Sequence, residues 1–265
     1  MNTKEEKLAA FGRLLDVMDT LREKCPWDHK QTNESLRSNT IEEVYELSNA
    51  LLNNDKDEIR KELGDVLLQV VFYAKIAQEK GDFDIADVCN ALCDKLIFRH
   101  PHVYPPQESV TSTVETADEV ISQWEKLKTH EKGGNKTVLS GVPQSLPSLI
   151  KAYRIQEKAA GVGFDWDRPI DVWDKVKEEI KEFELEVEGM DKEAAEREMG
   201  DVFFSLINAA RLYHINPDNA LEQTNRKFIR RFTYVEEQLK AIGKSLTEAS
   251  LEEMERLWQQ AKSES

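Results

Sequence analysis

The stretch VKEEIKEFELEVEGMDKEAAEREMGDVFFSLINAA, residues 176–210, decides the fold. Val176, Ile180, Phe183 and Val187 recur at three- and four-residue steps, as do Met199, Phe203, Leu206 and Ala210. That period marks one face of a helix, so the spacing predicts two successive amphipathic helices. Each sets acids beside its apolar stripe. Glu179 and Glu182 fall about 60° apart on the first helix, with Lys175 and Glu178 on the same side. Glu198 and Asp201, again three apart, share a face of the second. Two neighbouring helices of this kind present four inward carboxylates at one level of a bundle.

The pattern occurs twice. TIEEVYEL at 40–47 answers VKEEIKEF at 176–183, and KELGDVLLQVVFYA at 61–74 answers REMGDVFFSLINAA at 197–210, both at an offset of 136 residues. DKLIFRH at 94–100 answers RKFIRRF at 226–232, QWEKLK at 123–128 answers LWQQAK at 257–262, and PWD at 26–28 answers DWD at 165–167. So long a period is a duplicated domain rather than a solenoid repeat. The expected organisation is all-α: a helical domain over 1–130, a Gly- and Pro-marked linker over 131–147, and a second helical domain over 148–265, each of four-helix-bundle type. Helical periodicity also covers 8–24, 41–52, 59–78, 84–98, 118–128, 148–160, 170–187, 193–213, 218–241 and 250–262, and no alternating strand pattern stands out. Ser250 with Glu253 reads as a capping box, and Pro217 stands near a helix start.

Composition agrees. The 265 residues hold only 11 Gly and 8 Pro, too few for a loop-rich sandwich. The net charge of −15 argues against general affinity for nucleic acid or an anionic membrane. No stretch approaches the ~20 apolar residues of a membrane span. The N-terminus MNTKEEKLAAF has no apolar signal core, and Cys25, Cys89 and Cys93 form no CxxC pair. A cytoplasmic protein with reduced thiols is expected.

Inward carboxylates repel and resist desolvation. From Asp174 to Asp201 the chain has 12 acids against 5 bases. The chemistry that relieves this is a hard divalent cation, Mg2+ or Mn2+, because the quartet holds no Cys or His to favour zinc. A lone EExxE is most often a solvated helix face; the second pair and its repetition in each half shift the weight. Gly64 and Gly200 recur inside strong helical patterns at a cost of ~1 kcal/mol. Either something approaches the backbone there, or the helices cross tightly, or both. No P-loop is present: Gln238 stands where the first glycine before Gly243-Lys244-Ser245 belongs, and Trp166 spoils a dinucleotide fingerprint at Gly161 and Gly163.

EEIKE at 178–182 followed by EMGD at 198–201 resembles the MazG family of nucleoside triphosphate pyrophosphohydrolases. CPWD at 25–28, TIEEVYE at 40–46, ELGDVLLQVVFYA at 62–74 and RHPHV at 99–103 resemble the first domain of its two-domain members. VGFDW at 162–166, KFIRRF at 227–232 and WQQAK at 258–262 resemble the second. The resemblance implies an all-α fold that dimerises and a Mg2+-dependent hydrolysis of a nucleoside triphosphate to monophosphate and pyrophosphate. It implies Glu179, Glu182, Glu198 and Asp201 as metal ligands. Lys175, Glu178, Lys227, Arg231, Trp258 and Lys262 would contact the nucleotide or assist chemistry. Metal-activated water would attack the α-phosphorus, with Glu178 orienting or deprotonating it and the cations stabilising phosphate charge. Taken alone, Lys227 with Arg231 reads as a solvated basic face and Trp258 as core packing.

The first half keeps Glu42, Glu43, Glu46, Glu62 and Asp65, and also Lys95, Arg99, Trp124 and Lys128. Glu43, Glu46, Glu62 and Asp65 form a second candidate ligand set. Asn39 stands where the second half has Lys175, which makes the second half the expected catalytic unit. The competing readings are a non-catalytic helical interaction module and a carboxylate metal-binding protein without hydrolysis.

Overall fold

The computed structural model describes residues 1–105 and 137–263, with residues 116, 119, 120, 123, 124 and 127 between them. Two compact units divide the chain, Met1–Ser112 and Thr113–Ser265. Among the described residues every regular element is helical. The first unit contains α1 (Lys4–Lys24), α2 (Pro26–Lys30), α3 (Asn33–Asn53), α4 (Lys56–Lys80) and α5 (Ile85–Arg99). The second contains α6 (Ser148–Ala160), α7 (Val172–Glu188), α8 (Lys192–Leu212), α9 (Pro217–Ala241) and α10 (Leu251–Ser263). Of the expected linker, residues 131–136 lie outside the described residues, as do Lys128 and parts of the helix expected over 118–128.

Local sequence sets the helix ends. Thr3 with Glu6 and Asp84 with Asp87 form capping boxes, and Asp55, Asp191 and Asn216 each cap a first turn. The expected Ser250–Glu253 box forms, with each side chain accepting from the other's backbone N–H. Pro217 opens α9, where its missing N–H costs nothing. Two elements depart from expectation. The second-helix pattern predicted from residue 41 begins at Asn33, because Thr32 and Ser35 cap each other reciprocally. The added turns carry one deeply buried apolar anchor, Leu36, too sparse a pattern to register as periodic. Residues 26–30, with no expected element, form α2.

Arg22 explains that short helix. Buried on α1, it donates from Nε to Glu79 Oε1 at 2.9 Å and pairs through Nη2 with the other oxygen. Its Nη1 donates to the carbonyls of Asp28 and Gln31 at the end of α2, and its guanidinium lies over the Phe72 ring. One side chain thus ties α1, α2 and α4 together. Around it Met18, Leu36, Val71, Phe72 and Ile76 form the core of the first unit. The core of the second unit contains Val172, Val176 and Ala209, with Val235 and Leu239 buried on α9.

The principal packing in the two units is α3 on α4 and α7 on α8. The apolar stripe expected on α8 is not the buried one. Phe203 and Leu206 are exposed, and Val202, Ser205, Ile207 and Ala209 face inward instead. On α7, Val176 is buried but Ile180 and Val187 are exposed. Of the two alternatives at Gly64 and Gly200, tight helix crossing does not hold, since an added Cβ at either would meet nothing within 4 Å.

Replacing Arg22 by Ala is expected to destabilise the chain by about 2 kcal/mol, at the low end for such a pair because Glu79 keeps partial contact with water. The Arg22 hydrogen bond lowers the Glu79 carboxyl below its ordinary 4.5. Its stabilisation is therefore complete above that value and is lost as pH falls through the lowered folded value. Denaturant melts of wild type and Glu79→Gln across pH 3–6 should converge at the acid end.

Candidate active site

Helix pairing brings the carboxylates together. In the first unit, ligand oxygens of Glu43 on α3 and Glu62 and Asp65 on α4 lie within 4.8 Å of one another. In the second, Glu179 and Glu182 on α7 and Glu198 on α8 do the same. The two trios share the Glu43/Glu179 and Glu62/Glu198 positions. Glu46 lies outside the first trio, yet the charge on Glu62 raises its pKa. Asp201 lies outside the second, on an exposed position of α8.

Crowding shows in the protonation equilibria. Desolvation, then the charge of Asp65, raises Glu43; desolvation, then the charge of Glu179, raises Glu182. Lysines offset part of this. Lys175 Nζ lies 2.7 Å from Glu179 Oε1 and 2.8 Å from Glu178 Oε1, and these bonds raise its pKa. The first unit has Asn39 at that position, but a cation still reaches its carboxylates. Lys61 on α4 approaches Glu62 Oε1 at 2.7 Å and lowers the Glu62 pKa. Sequence reasoning missed Lys61, because it adjoins Glu62 in the chain and makes no helical-face pattern with it. Each half therefore draws its lysine from the opposite helix of the pair.

The residues fit a hard cation. The donors are all carboxylate oxygens, and Glu62, 2% exposed, has its Oε2 buried without a hydrogen-bond partner. Glu43, Glu62 and Asp65 would hold the ion in the first unit, and Glu179, Glu182 and Glu198 in the second.

The other expected residues form a separate group. Phe228 on α9 packs against Trp258 on α10 with ring centroids 4.9 Å apart, and the Arg231 guanidinium lies 5.9 Å from the Trp258 ring centroid. Arg231 Nε is buried and has no hydrogen-bond partner. Lys227 and Lys262 are exposed. Trp258 is thus partly core and partly a platform under a cation. Lys244, of the false P-loop, is bound to Glu253 at 2.5 Å, which draws the Glu253 pKa down to about 2.

A duplicated all-α chain with a carboxylate cluster between one helix pair of each half defines a narrow class of proteins. The model of the MazG nucleotide pyrophosphohydrolase domain matches residues 31–104 and again 170–235. The chain is 44% identical over 259 residues to the nucleoside triphosphate pyrophosphohydrolase of Escherichia coli K12, covering 95% of this chain and 97% of that one. It is 42% identical over 255 residues to the nucleoside triphosphate pyrophosphohydrolase/pyrophosphatase MazG of Thermotoga maritima, covering 95% of each. An uncharacterised Bacillus subtilis protein, YabN, is 44% identical over 265 residues, which make up 53% of its length. The chain belongs to the MazG family.

Neutralising a crowded carboxylate should stabilise the metal-free protein. Because the folded pKa values of Glu43 and Glu182 are raised, their stabilising protonation is complete below about 4.5 and is lost as pH rises through the raised values. Glu43→Gln and Glu182→Gln are expected to melt above wild type at pH 7, with the advantage gone below about pH 4.5. Millimolar MgCl2 should raise the wild-type melting temperature and raise that of each variant less. A wild-type midpoint indifferent to MgCl2 would count against a cation site.

Proposed function

We propose that this chain hydrolyses nucleoside triphosphates to monophosphates and pyrophosphate with Mg2+, and that the second half is the main catalytic unit. The observation that carries this is the trio Glu179, Glu182 and Glu198 between α7 and α8, with Lys175 beside it. The family membership and the names of the full-length relatives support the reaction class.

A bound divalent cation would supply positive charge to the triphosphate and acidify a water. Glu179, Glu182 and Glu198 would hold that charge in place, with Asp201, one turn along α8 from Glu198, as the fourth ligand that the family resemblance implies. Lys175 bridges Glu178 and Glu179, so an incoming phosphate competes for its ammonium and frees Glu178 to accept a proton from the attacking water. Arg231, Lys227 and Lys262 supply further cations around Trp258 for the phosphate chain. In the first half Lys61 rests on Glu62, and Asn39 offers no cation from α3. That half would bind a cation with little turnover.

The chain would act as a homodimer. Leu63, Leu67 and Val70 on α4 are exposed, and so are Phe203 and Leu206 at the matching positions of α8. An apolar stripe shared by both halves suits burial against a second copy. No described helix is long and apolar enough to cross a membrane.

Incubation with a panel of nucleoside triphosphates and MgCl2 should release pyrophosphate, and Glu179→Ala should reduce turnover at least ~100-fold while Glu43→Ala leaves most of it. Equal losses would refute the asymmetry between the halves. No pyrophosphate would favour a cation-binding protein without hydrolysis. In sedimentation velocity, Phe203→Lys should shift the chain from dimer toward monomer.

A further inference from the structure

The second unit contains a cavity of about 550 Å³ beside α8, separate from the carboxylate trio. Its wall is mostly apolar, built by Phe204 of α8 and by Phe164 and Trp166 of the loop between α6 and α7. Two amides interrupt that wall, and each has one end already committed. Gln156 on α6 is 5% exposed. Its Nε2 donates to the Phe204 carbonyl at 2.8 Å, and its buried Oε1 has no hydrogen-bond partner. Only the NH2 end can donate to a carbonyl, so the amide orientation is determined and an acceptor is left over. Asn208 is set the opposite way. Its Oδ1 accepts from Arg211 Nε at 3.0 Å and Nη2 at 2.9 Å, which leaves Nδ2 to donate. Arg211 is in turn bound to both oxygens of Asp165, with Nη1 to Oδ2 at 2.9 Å. One guanidinium therefore orients Asn208 and anchors the loop that carries Trp166.

A cavity of this size with flat apolar walls, one uncommitted acceptor and one donor matches a planar heteroaromatic ring with a donor–acceptor edge. Asn208 lies further along the helix that carries the carboxylates: it follows Asp201 by seven residues, about 10 Å of axis, and Glu198 of the trio by ten, about 15 Å. We infer that this cavity takes the base of the nucleotide, with Gln156 and Asn208 reading its edge. The inference rests on the α7–α8 carboxylates being the triphosphate site.

The duplicated half serves as an internal control. At the matching positions it has Leu68 for Phe204, Phe72 for Asn208 and Lys75 for Arg211. Phe72 is buried against Met18 in the first unit's core, and Lys75 pairs with Asp19 at 2.7 Å. The first half has core where the second has a polar pair, so base recognition belongs to the second half alone.

Calorimetric titration of the full chain with adenosine, guanosine, cytidine and uridine, without divalent cation, tests the site independently of hydrolysis. At least one nucleoside should bind, and Gln156→Leu and Asn208→Asp should each weaken that binding about ten- to a hundred-fold. Asn208→Asp keeps the oxygen held by Arg211 and exchanges only the donor, so it guards against a folding defect. With MgCl2, both variants should raise KM for the matching triphosphate far more than for ribose 5-triphosphate, which has no base. Absence of nucleoside binding, or equal losses on the two substrates, overturns the inference. Nucleoside binding in a protein that releases no pyrophosphate supports the base site and overturns the catalytic reading.

Discussion

Mutual repulsion among acids held between two helices is the constraint from which the rest of this structure follows. Three carboxylates within 4.8 Å, at the interface of a helix pair, are tolerated only with compensating charge. The protein supplies part of it with one lysine per half, Lys61 from α4 and Lys175 from α7. The compensation is incomplete, and the raised pKa values of Glu43, Glu46 and Glu182 register what remains. Long helices packed side by side keep the charges together at that cost. The buried oxygen of Glu62 without a partner is the clearest sign that the arrangement anticipates a cation.

Duplication gave the chain two copies of this helix pair, and the copies diverged around it rather than within it. The acidic positions persist in both halves, while their surroundings differ. In the first half Arg22 ties α1, α2 and α4 about a core containing Phe72. In the second half Asn208 replaces that phenylalanine, Arg211 replaces Lys75, and a cavity opens between α6, α8 and the loop at Trp166. Family membership fixes the reaction class; these neighbours carry what distinguishes one half from the other.

The all-α fold, the two-fold repetition and the carboxylate positions were legible because each rests on short-range periodicity. Residues three or four apart share a helix face whatever the rest of the chain does. Capping at Ser250 with Glu253 and the proline start of α9 were legible for the same reason. What lay beyond that range was not. Leu36 anchors the added turns of α3 in the core with Met18, Val71, Phe72 and Ile76, and α2 exists because Arg22 reaches its carbonyls from α1. Which stripe of α8 is buried depends on where α6 and α7 press, and Phe203 and Leu206 turn outward although their spacing is as regular as that of any core face.

The sequence alone determined that acids would share helix faces, since the helical repeat places them there. Only the tertiary structure decided which acids meet, because Glu182 joins Glu179 and Glu198 while Asp201 stays outside. It also decided that Gln156 keeps an acceptor and Asn208 a donor, through a carbonyl 48 residues away and a guanidinium held by Asp165. The Gln156 bond and the Asp165 grip on Arg211 cross between elements and no local pattern encodes them, whereas Arg211 reaches Asn208 from three residues along the same helix.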